Sequence, residues 1–470
     1  MSWLGALMAP PRAAGPPPDG GSAAWLRLAA YWLVCAGTLG LQYTSGLLLV
    51  ELLAEFGKGR AQTAIVGSAS TGVMDFFGFF VGDVIVRLGE RSTCLVGALL
   101  AGLGIIASAH ATELWHLYIT FSIVVGIGHS CALFAGIIVN NKWFLRRRAI
   151  TSAIGNTGGA AGPFLIAPLW GLAVRSLGWR GVLRVLGACD VALLVCAALP
   201  LTPPPPPLLL PAPDVGAQSA SGAPSVVGAT PPVTAREVMR NREVRRLAVV
   251  IGLYGLGSWV PVVHLVAAGR DQGLSAERAD SLVLYIAAGS VGLRVPINAL
   301  ADRFGRRRLW LLVALLYALV DLVAPFVWGS YPLLCAYAVL AGGFTGGLNS
   351  LMVALAPEVS TPEHMAHATT ISTATLGLGT FSGPVIAGAI FDARGSYVGG
   401  WVFAAACLVL SALTLVLPAS LFGAPGHGEL RVPAGSAWRG CAPRGEAHAT
   451  AETSESRVGP VKAVSIGVHQ

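Results

Sequence analysis

The sequence predicts an all-α membrane protein with twelve transmembrane helices in two six-helix bundles, and three observations carry that expectation. The first is composition: 54% of the 470 residues are apolar and only 11% are charged, against about 25% charged in ordinary soluble domains. So few charges cannot coat a water-exposed surface. The second is a set of twelve apolar segments, each near the ~20 residues that cross a bilayer core as a helix. They are Trp25–Leu49, Gln62–Val84, Ser92–His110, Leu114–Val139, Ala149–Leu172, Gly181–Leu201, Leu247–Ala268, Leu282–Ala301, Leu309–Val327, Tyr331–Leu355, Thr369–Ile390 and Val398–Leu417. The third is their grouping, because the Pro-rich stretch 202–246, opening on Pro203–Pro207, divides them six and six.

Each region follows in order. Residues 1–24 contain Pro10, Pro11 and Pro16–Pro18 and run into a full-length apolar segment, which reads as a cytoplasmic tail before a retained helix. Residues 25–201 form the N-terminal bundle. The stretch 202–246 reads as an extended cytoplasmic linker, 247–422 as the C-terminal bundle, and the polar segment 423–470 as a disordered cytoplasmic tail. Orientation rests on the basic residues of short loops. Arg87 and Arg91, Lys142 with Arg146–Arg148, and Arg303 with Arg306–Arg308 all follow even-numbered helices, which predicts that side and both termini to be cytoplasmic. Lys58, Arg60, Arg175, Arg180, Arg270, Arg278 and Arg394 run against the bias.

The eight cysteines show no Cys-x-x-Cys or Cys/His ligand spacing, so neither a disulfide framework, a metal site nor a cofactor is expected. The net charge of +8 is dispersed in short clusters, which counts against nucleic acid as a partner. No nucleophile–base pair or paired catalytic carboxylates appear, so the chain is not read as an enzyme.

An internal repeat links the bundles. Gly82-Asp83-Val-Ile-Val-Arg87-Leu-Gly89-Glu-Arg91 is echoed by Ala301-Asp302-Arg303-Phe-Gly305-Arg306-Arg307-Arg308, with Arg87 and Arg303 lying 216 residues apart. The same offset carries Leu114, Ala149 and Gly181 close to the starts of helices ten, eleven and twelve. Gly162-Pro163 and Gly383-Pro384 repeat at 221. Two bundles of one orientation imply an axis along the membrane normal and a binding site between them.

This duplicated loop resembles the signature cytoplasmic loop of the major facilitator superfamily. The run Lys142-Trp143-Phe144-Leu-Arg146-Arg147-Arg148, followed by Ser152, Gly155-Asn156 and Gly158-Gly159, resembles the monocarboxylate transporter family. Gly178-Trp179-Arg180, Val260-Pro261-Val-Val-His264, and Gly383-Pro384 through Phe391-Asp392 extend the likeness across nearly all twelve helices. The resemblance implies the major facilitator fold, the plasma membrane, and alternating access for a small monocarboxylate, with protons as a second partner. An exchanger or facilitator of another organic anion or a neutral metabolite, and a non-transporting receptor of the same fold, are the alternatives. The partners expected are a small organic anion, protons and the bilayer, with an accessory membrane subunit unassigned.

An ionisable group inside a span is costly and marks a functional candidate. Arg294, in the middle of helix eight, can grip a carboxylate with two hydrogen bonds, and it matches the family's substrate-contacting arginine. Ser290 and Tyr43 share that candidate site. Proton-coupled relatives carry an aspartate where Ser290 stands, and a lysine where Leu47 follows Tyr43. His264 and Asp75 are therefore the candidate proton relays, among mid-span groups that also include His129, Asp190 and Asp321. Asp83, Arg87, Asp302 and Arg303, with Arg148 at the mouth of helix five, are expected to gate the cytoplasmic face.

Overall fold

The structure is a computed structural model that describes residues 20–144, 148–204, 235–360 and 365–422. The expectations for the tails 1–19 and 423–470 and for the linker 205–234 lie outside the described residues, as does the side chain of Arg148. Eleven described helices are long and apolar enough to cross a bilayer. One of them, Ile150–Ala198, is 49 residues long, and Gly178 inside it takes φ 65°, ψ 168°. No α-helix contains that backbone conformation. The segment is two spans, the fifth and sixth, and the total is twelve.

The remaining spans are the first, Ser22–Phe56, the second, Arg60–Leu88, the third, Glu90–Ser108, and the fourth, Leu114–Trp143. After the linker come the seventh, Arg242–Asp271, the eighth, Ala276–Phe304, and the ninth, Arg306–Val327. The tenth is Tyr331–Val359, the eleventh Met365–Arg394 and the twelfth Val398–Val416. Several outrun the apolar segments that announce them. The second and eighth each have 29 residues, about 43 Å at 1.5 Å per residue, against a hydrocarbon layer of about 30 Å. Their charged ends therefore reach water on both faces. The seventh starts at Arg242, inside the stretch read as linker, because the Asn241 side chain accepts a hydrogen bond from the Glu243 amide at 2.9 Å and caps the helix there.

Two spans are broken near their midpoints. In the first, Thr44 leaves helical geometry between Ser22–Tyr43 and Ser45–Phe56, and its hydroxyl donates to the Leu41 carbonyl at 2.8 Å, a local bond that competes with the helix. In the seventh, Trp259 separates Arg242–Ser258 from Val260–Asp271. Pro261 follows, without an N–H to continue the ladder. The breaks lie 215 residues apart, in register with the repeat.

The duplicated turns also match. The turn after the second span pivots on Gly89, φ 79°, and the turn after the eighth on Gly305, φ 93°. Both conformations suit glycine alone, and the two glycines are 216 residues apart. Within the bundles the first span packs on the fifth and sixth, and the seventh on the eleventh; between them, the second meets the eleventh and the fifth meets the eighth. The cores follow this plan. One apolar cluster, with Leu28, Tyr31, Met74 and Val139, belongs to the N-terminal bundle. Two others cross the seam: Tyr43, Leu49 and Ala64 pack with C-terminal residues, and Leu47, Leu48 and Leu52 pack with Val266 and Val283.

Candidate substrate site and gate residues

Arg294 lies on the eighth span, 4% exposed. Its guanidinium donates to Ser290 Oγ, one turn earlier, at 3.1 Å, while its Nε has no partner. No carboxylate pairs with it among the described residues. Tyr31 and Cys35 of the first span and Tyr254 of the seventh lie within range of its charge, on both sides of the seam. A guanidinium held at mid-span by one neutral hydroxyl is an unusual expense, about 2.5–3.5 kcal/mol on insertion scales. Ser290 is fully buried and packs on the tenth span, where a Cβ on Gly346 would lie 2.5 Å from its Oγ.

Tyr43 sits at the break of the first span, 3% exposed, with its ring 5.4 Å from that of Trp259 at the break of the seventh. Leu47 is fully buried. The structure adds residues the sequence reading did not single out. Tyr31 donates to Asn156 Oδ1 of the fifth span at 3.2 Å, and Tyr254 donates to Asn349 Oδ1 of the tenth at 3.0 Å. The signal for Asn156 was present, an amide among small residues at Gly155-Asn156-Thr157, but an amide in a span carries no charge to flag it.

The mid-span ionisable groups separate into two kinds. His129 and Asp190 meet at 3.2 Å inside the N-terminal bundle. Asp321 accepts from Tyr337 at 2.9 Å, and Trp401 donates to that tyrosine at 2.7 Å. His264 is fully buried, its Nε2 donates to the Pro384 carbonyl at 2.8 Å, and its ring lies 5.5 Å from that of Tyr397. Its neighbours thus belong to the eleventh and twelfth spans, and no described contact brings it to Arg294. Asp75 is half-buried at the crossing of the second and eleventh spans, with a Cβ on Gly377 falling 2.9 Å from its own.

The gate candidates lie at one end of the molecule, the basic face. Asp83, Arg87, Asp302 and Arg303 are all exposed there. Arg306 lies 3.5 Å from both Asp302 and Glu358, and Arg307 lies 3.6 Å from Glu243 and 3.7 Å from Glu358. Lys142 pairs with Glu90. Each of these pairs stays within one bundle.

At the opposite face some pairs cross the seam, while Arg180 with Glu55 at 2.6 Å and Arg270 with Asp280 stay within one bundle. Arg60, heading the second span, meets Asp271 of the seventh at 2.5 Å, and its guanidinium lies 4.0 Å from the Phe391 ring centre and 5.1 Å from that of Tyr397. Asp392, ending the eleventh span, accepts from the backbone amides of Arg60 at 2.8 Å and Ala61 at 3.0 Å. One bundle thereby caps a helix of the other. Arg175 pairs with Glu277 at 2.5 Å, and Arg270 with Asp280 at 2.8 Å and Glu51 at 3.7 Å. Four of the seven basic residues that ran against the loop bias, Arg60, Arg175, Arg180 and Arg270, thus serve carboxylates on the same face.

The comparisons agree with this architecture. The Major Facilitator Superfamily profile matches residues 31–275 and again 247–453. Human Monocarboxylate transporter 11 is 30% identical over 413 residues, covering 85% of this chain and 83% of the relative. The chain belongs to the monocarboxylate transporter-like family of the major facilitator superfamily. Monocarboxylate transporter 13 of Bos taurus is 28% identical over 414 residues, covering 86% of this chain and 91% of the relative. Human Monocarboxylate transporter 6 is 26% identical over 419 residues, covering 86% and 81%. Among solved structures, a bacterial homologue of the human lysosomal transporter Spinster, in an inward-facing and unoccupied conformation, superposes with a TM-score of 0.59 at 14% identity over 86% of this chain and 96% of that one. That likeness shows the fold. This monocarboxylate transporter-like chain is accordingly a multi-pass membrane transporter of a small molecule, and not an enzyme.

Proposed function

We propose that the protein carries a small monocarboxylate, of the lactate or pyruvate kind, across the plasma membrane by alternating access, with Arg294 as the anion anchor. The observation that carries this reading is the buried guanidinium of Arg294, hydrogen-bonded only to Ser290 Oγ and without a carboxylate among the described residues. A bound carboxylate supplies the missing counter-charge through two parallel hydrogen bonds. Ser290 and Leu47 replace the charged groups of the proton-coupled relatives, so this reading gives the anchor a single positive charge, suited to an anion of charge −1. Tyr43 lines the approach beside Trp259, and Tyr31 with Asn156 faces the anchor from the N-terminal bundle.

The basic face is cytoplasmic in this reading, and the seam-crossing pairs at Arg60, Asp392 and Arg175 make the conformation inward-facing. Asp83, Arg87, Arg148, Asp302 and Arg303 close the cytoplasmic side in the opposite state. The test is uptake of a labelled carboxylate panel into proteoliposomes. Wild-type protein is expected to take up monocarboxylates, Arg294→Ala to lose at least about a hundredfold, the scale of two charge-assisted hydrogen bonds, and Arg294→Lys to retain part. Undiminished uptake by Arg294→Ala overturns the reading.

A further inference from the structure

A carrier with a fixed charge at its centre encloses that charge on every passage, loaded or empty, and the groups around Arg294 decide at what cost. The residue is 4% exposed, its guanidinium donates to Ser290 Oγ at 3.1 Å, and its Nε has no partner. Within range of its charge lie two tyrosines and a thiol. Each of these is turned to a side-chain amide. Tyr31 and Cys35 donate to Asn156 Oδ1 at 3.2 Å and 3.9 Å, and Tyr254 donates to Asn349 Oδ1 at 3.0 Å. The shell contributed by both bundles is polar and uncharged.

The mid-span acids stand elsewhere. Asp190 meets His129 inside the N-terminal bundle, and Asp321 accepts from Tyr337 inside the C-terminal one. Asp75, where the second and eleventh spans cross, is acted on by burial alone, so the charge of Arg294 does not reach it. Packing keeps an acid away from the anchor as well. A Cβ on Gly346 of the tenth span would lie 2.5 Å from Ser290 Oγ and 2.8 Å from its carbonyl oxygen, and one on Gly289 would lie 1.9 Å from the Val339 carbonyl oxygen. The eighth and tenth spans touch backbone to backbone here. Position 290 has room for a hydroxyl, and a carboxylate there would overpack the crossing.

We propose that the protein carries its anion without a proton, exchanging one monocarboxylate for another electroneutrally and moving net charge only when it returns empty. The proposal rests on Arg294 being the anion anchor. With an anion of charge −1 bound, the centre sums to zero, and the seam closes over a neutral pair. Empty, the centre is +1, and closure strips water from a guanidinium that has one hydroxyl in its place. An unpaired cation at mid-span is disfavoured by a factor of about a hundred on insertion scales. The empty carrier is therefore expected to reorient slowly, and an anion on the far side to release the return step.

The charges balance in both modes. In exchange one anion enters as another leaves, each crossing as half of a neutral pair. In net uptake the loaded carrier crosses inward with charge zero and the empty carrier returns outward with charge +1. One turn of that cycle moves one negative charge inward, so an inside-positive potential drives it and exchange is indifferent to the potential.

The experiment reconstitutes the full chain in liposomes carrying an internal pH dye and uses labelled pyruvate as the probe. Exchange against unlabelled pyruvate is compared with net efflux into carboxylate-free sulfate buffer. Wild type is expected to exchange at least about thirtyfold faster than it releases net, within the range of the central-cation penalty. With valinomycin and external potassium about tenfold above internal, which makes the lumen positive, pyruvate is expected to accumulate about tenfold, the value for one charge per anion. The dye is expected to report no acidification. Asn156→Asp preserves the side-chain shape that receives Tyr31 and Cys35 and adds a carboxylate to the shell, so it is expected to cut the exchange-to-net ratio at least about tenfold. Equal exchange and net rates in wild type, accumulation that ignores the potassium gradient, luminal acidification matching the anion taken up, or an unchanged ratio in Asn156→Asp overturns the proposal and leaves Arg294 as the anchor. Absence of both fluxes in wild type sinks the anchor reading with it.

Discussion

The two ends of this transporter use the same residue types in opposite ways. At the face bearing Arg60, two arginines meet acids of the other bundle, at 2.5 Å for Arg60 with Asp271 and for Arg175 with Glu277, beside the within-bundle pairs Arg180–Glu55 and Arg270–Asp280. At the basic face, Arg306 and Arg307 meet Glu358 and Glu243 of their own bundle, and Asp83 and Arg87 stand exposed. Pairs across a moving seam stabilise one state of a cycle, whereas pairs within a bundle travel with it and favour neither. The described pairs at the basic face are therefore scaffolding alone, whereas the other face adds a lock to its own scaffolding.

This contrast can be tested with a cysteine at Val266, which is fully buried in the seam, in a background lacking the native cysteines; a membrane-impermeant maleimide reads opening of its face. The largest effect is expected from Asp392→Ala. It removes two charge-assisted bonds to backbone amides, about 3 kcal/mol, and should raise the labelled fraction at equilibrium roughly a hundredfold. Unchanged labelling would mean that the cap across the seam follows closure and does not hold it. Next comes Gly46→Val, because a Cβ there would lie 2.9 Å from the Val262 carbonyl oxygen. Overpacking of about 2 kcal/mol should increase labelling about thirtyfold.

Asp83→Asn should act with the opposite sign. Its carboxylate has no described partner in this state, so its loss can only weaken the other one, lowering labelling about fivefold on the scale of a single exposed pair. Increased labelling would place Asp83 in the wrong gate. The smallest change is expected for Arg175→Ala, whose pair with Glu277 leaves the two side chains 63% and 74% exposed. Solvent screening limits it to about twofold, and a tenfold change would show that this pair is tighter in the membrane than its exposure implies.

Much of the fold was legible because a bilayer imposes a length rule that apolar runs obey directly. All twelve segments read from the sequence fall on spans, and the offset of 216 from Arg87 to Arg303 recurs in the glycine turns at Gly89 and Gly305. The helix breaks were not read, because Thr44 and Trp259 sit in apolar runs whose hydropathy does not change across them; Pro261 was the available sign. The site was legible only in its charge. Arg294 stands out in any apolar run, but the partners of His264 are a backbone carbonyl and a ring 120 or more residues away, and no local pattern announces such contacts. The basic residues that spoiled the loop bias were informative for the same reason: Arg60 and Arg175 answer to acids 211 and 102 residues distant, not to the membrane potential of a loop.

The paired breaks at Thr44 and Trp259 bear on ancestry. They occupy equivalent places in the two bundles, yet one is made by a hydroxyl bonding backward and the other by a proline two residues ahead. A shared position reached through different residues is what descent from one duplicated six-helix unit leaves when the bend itself is inherited and its local cause is free to drift. The bend is then the older trait, and either residue the replaceable means of making it.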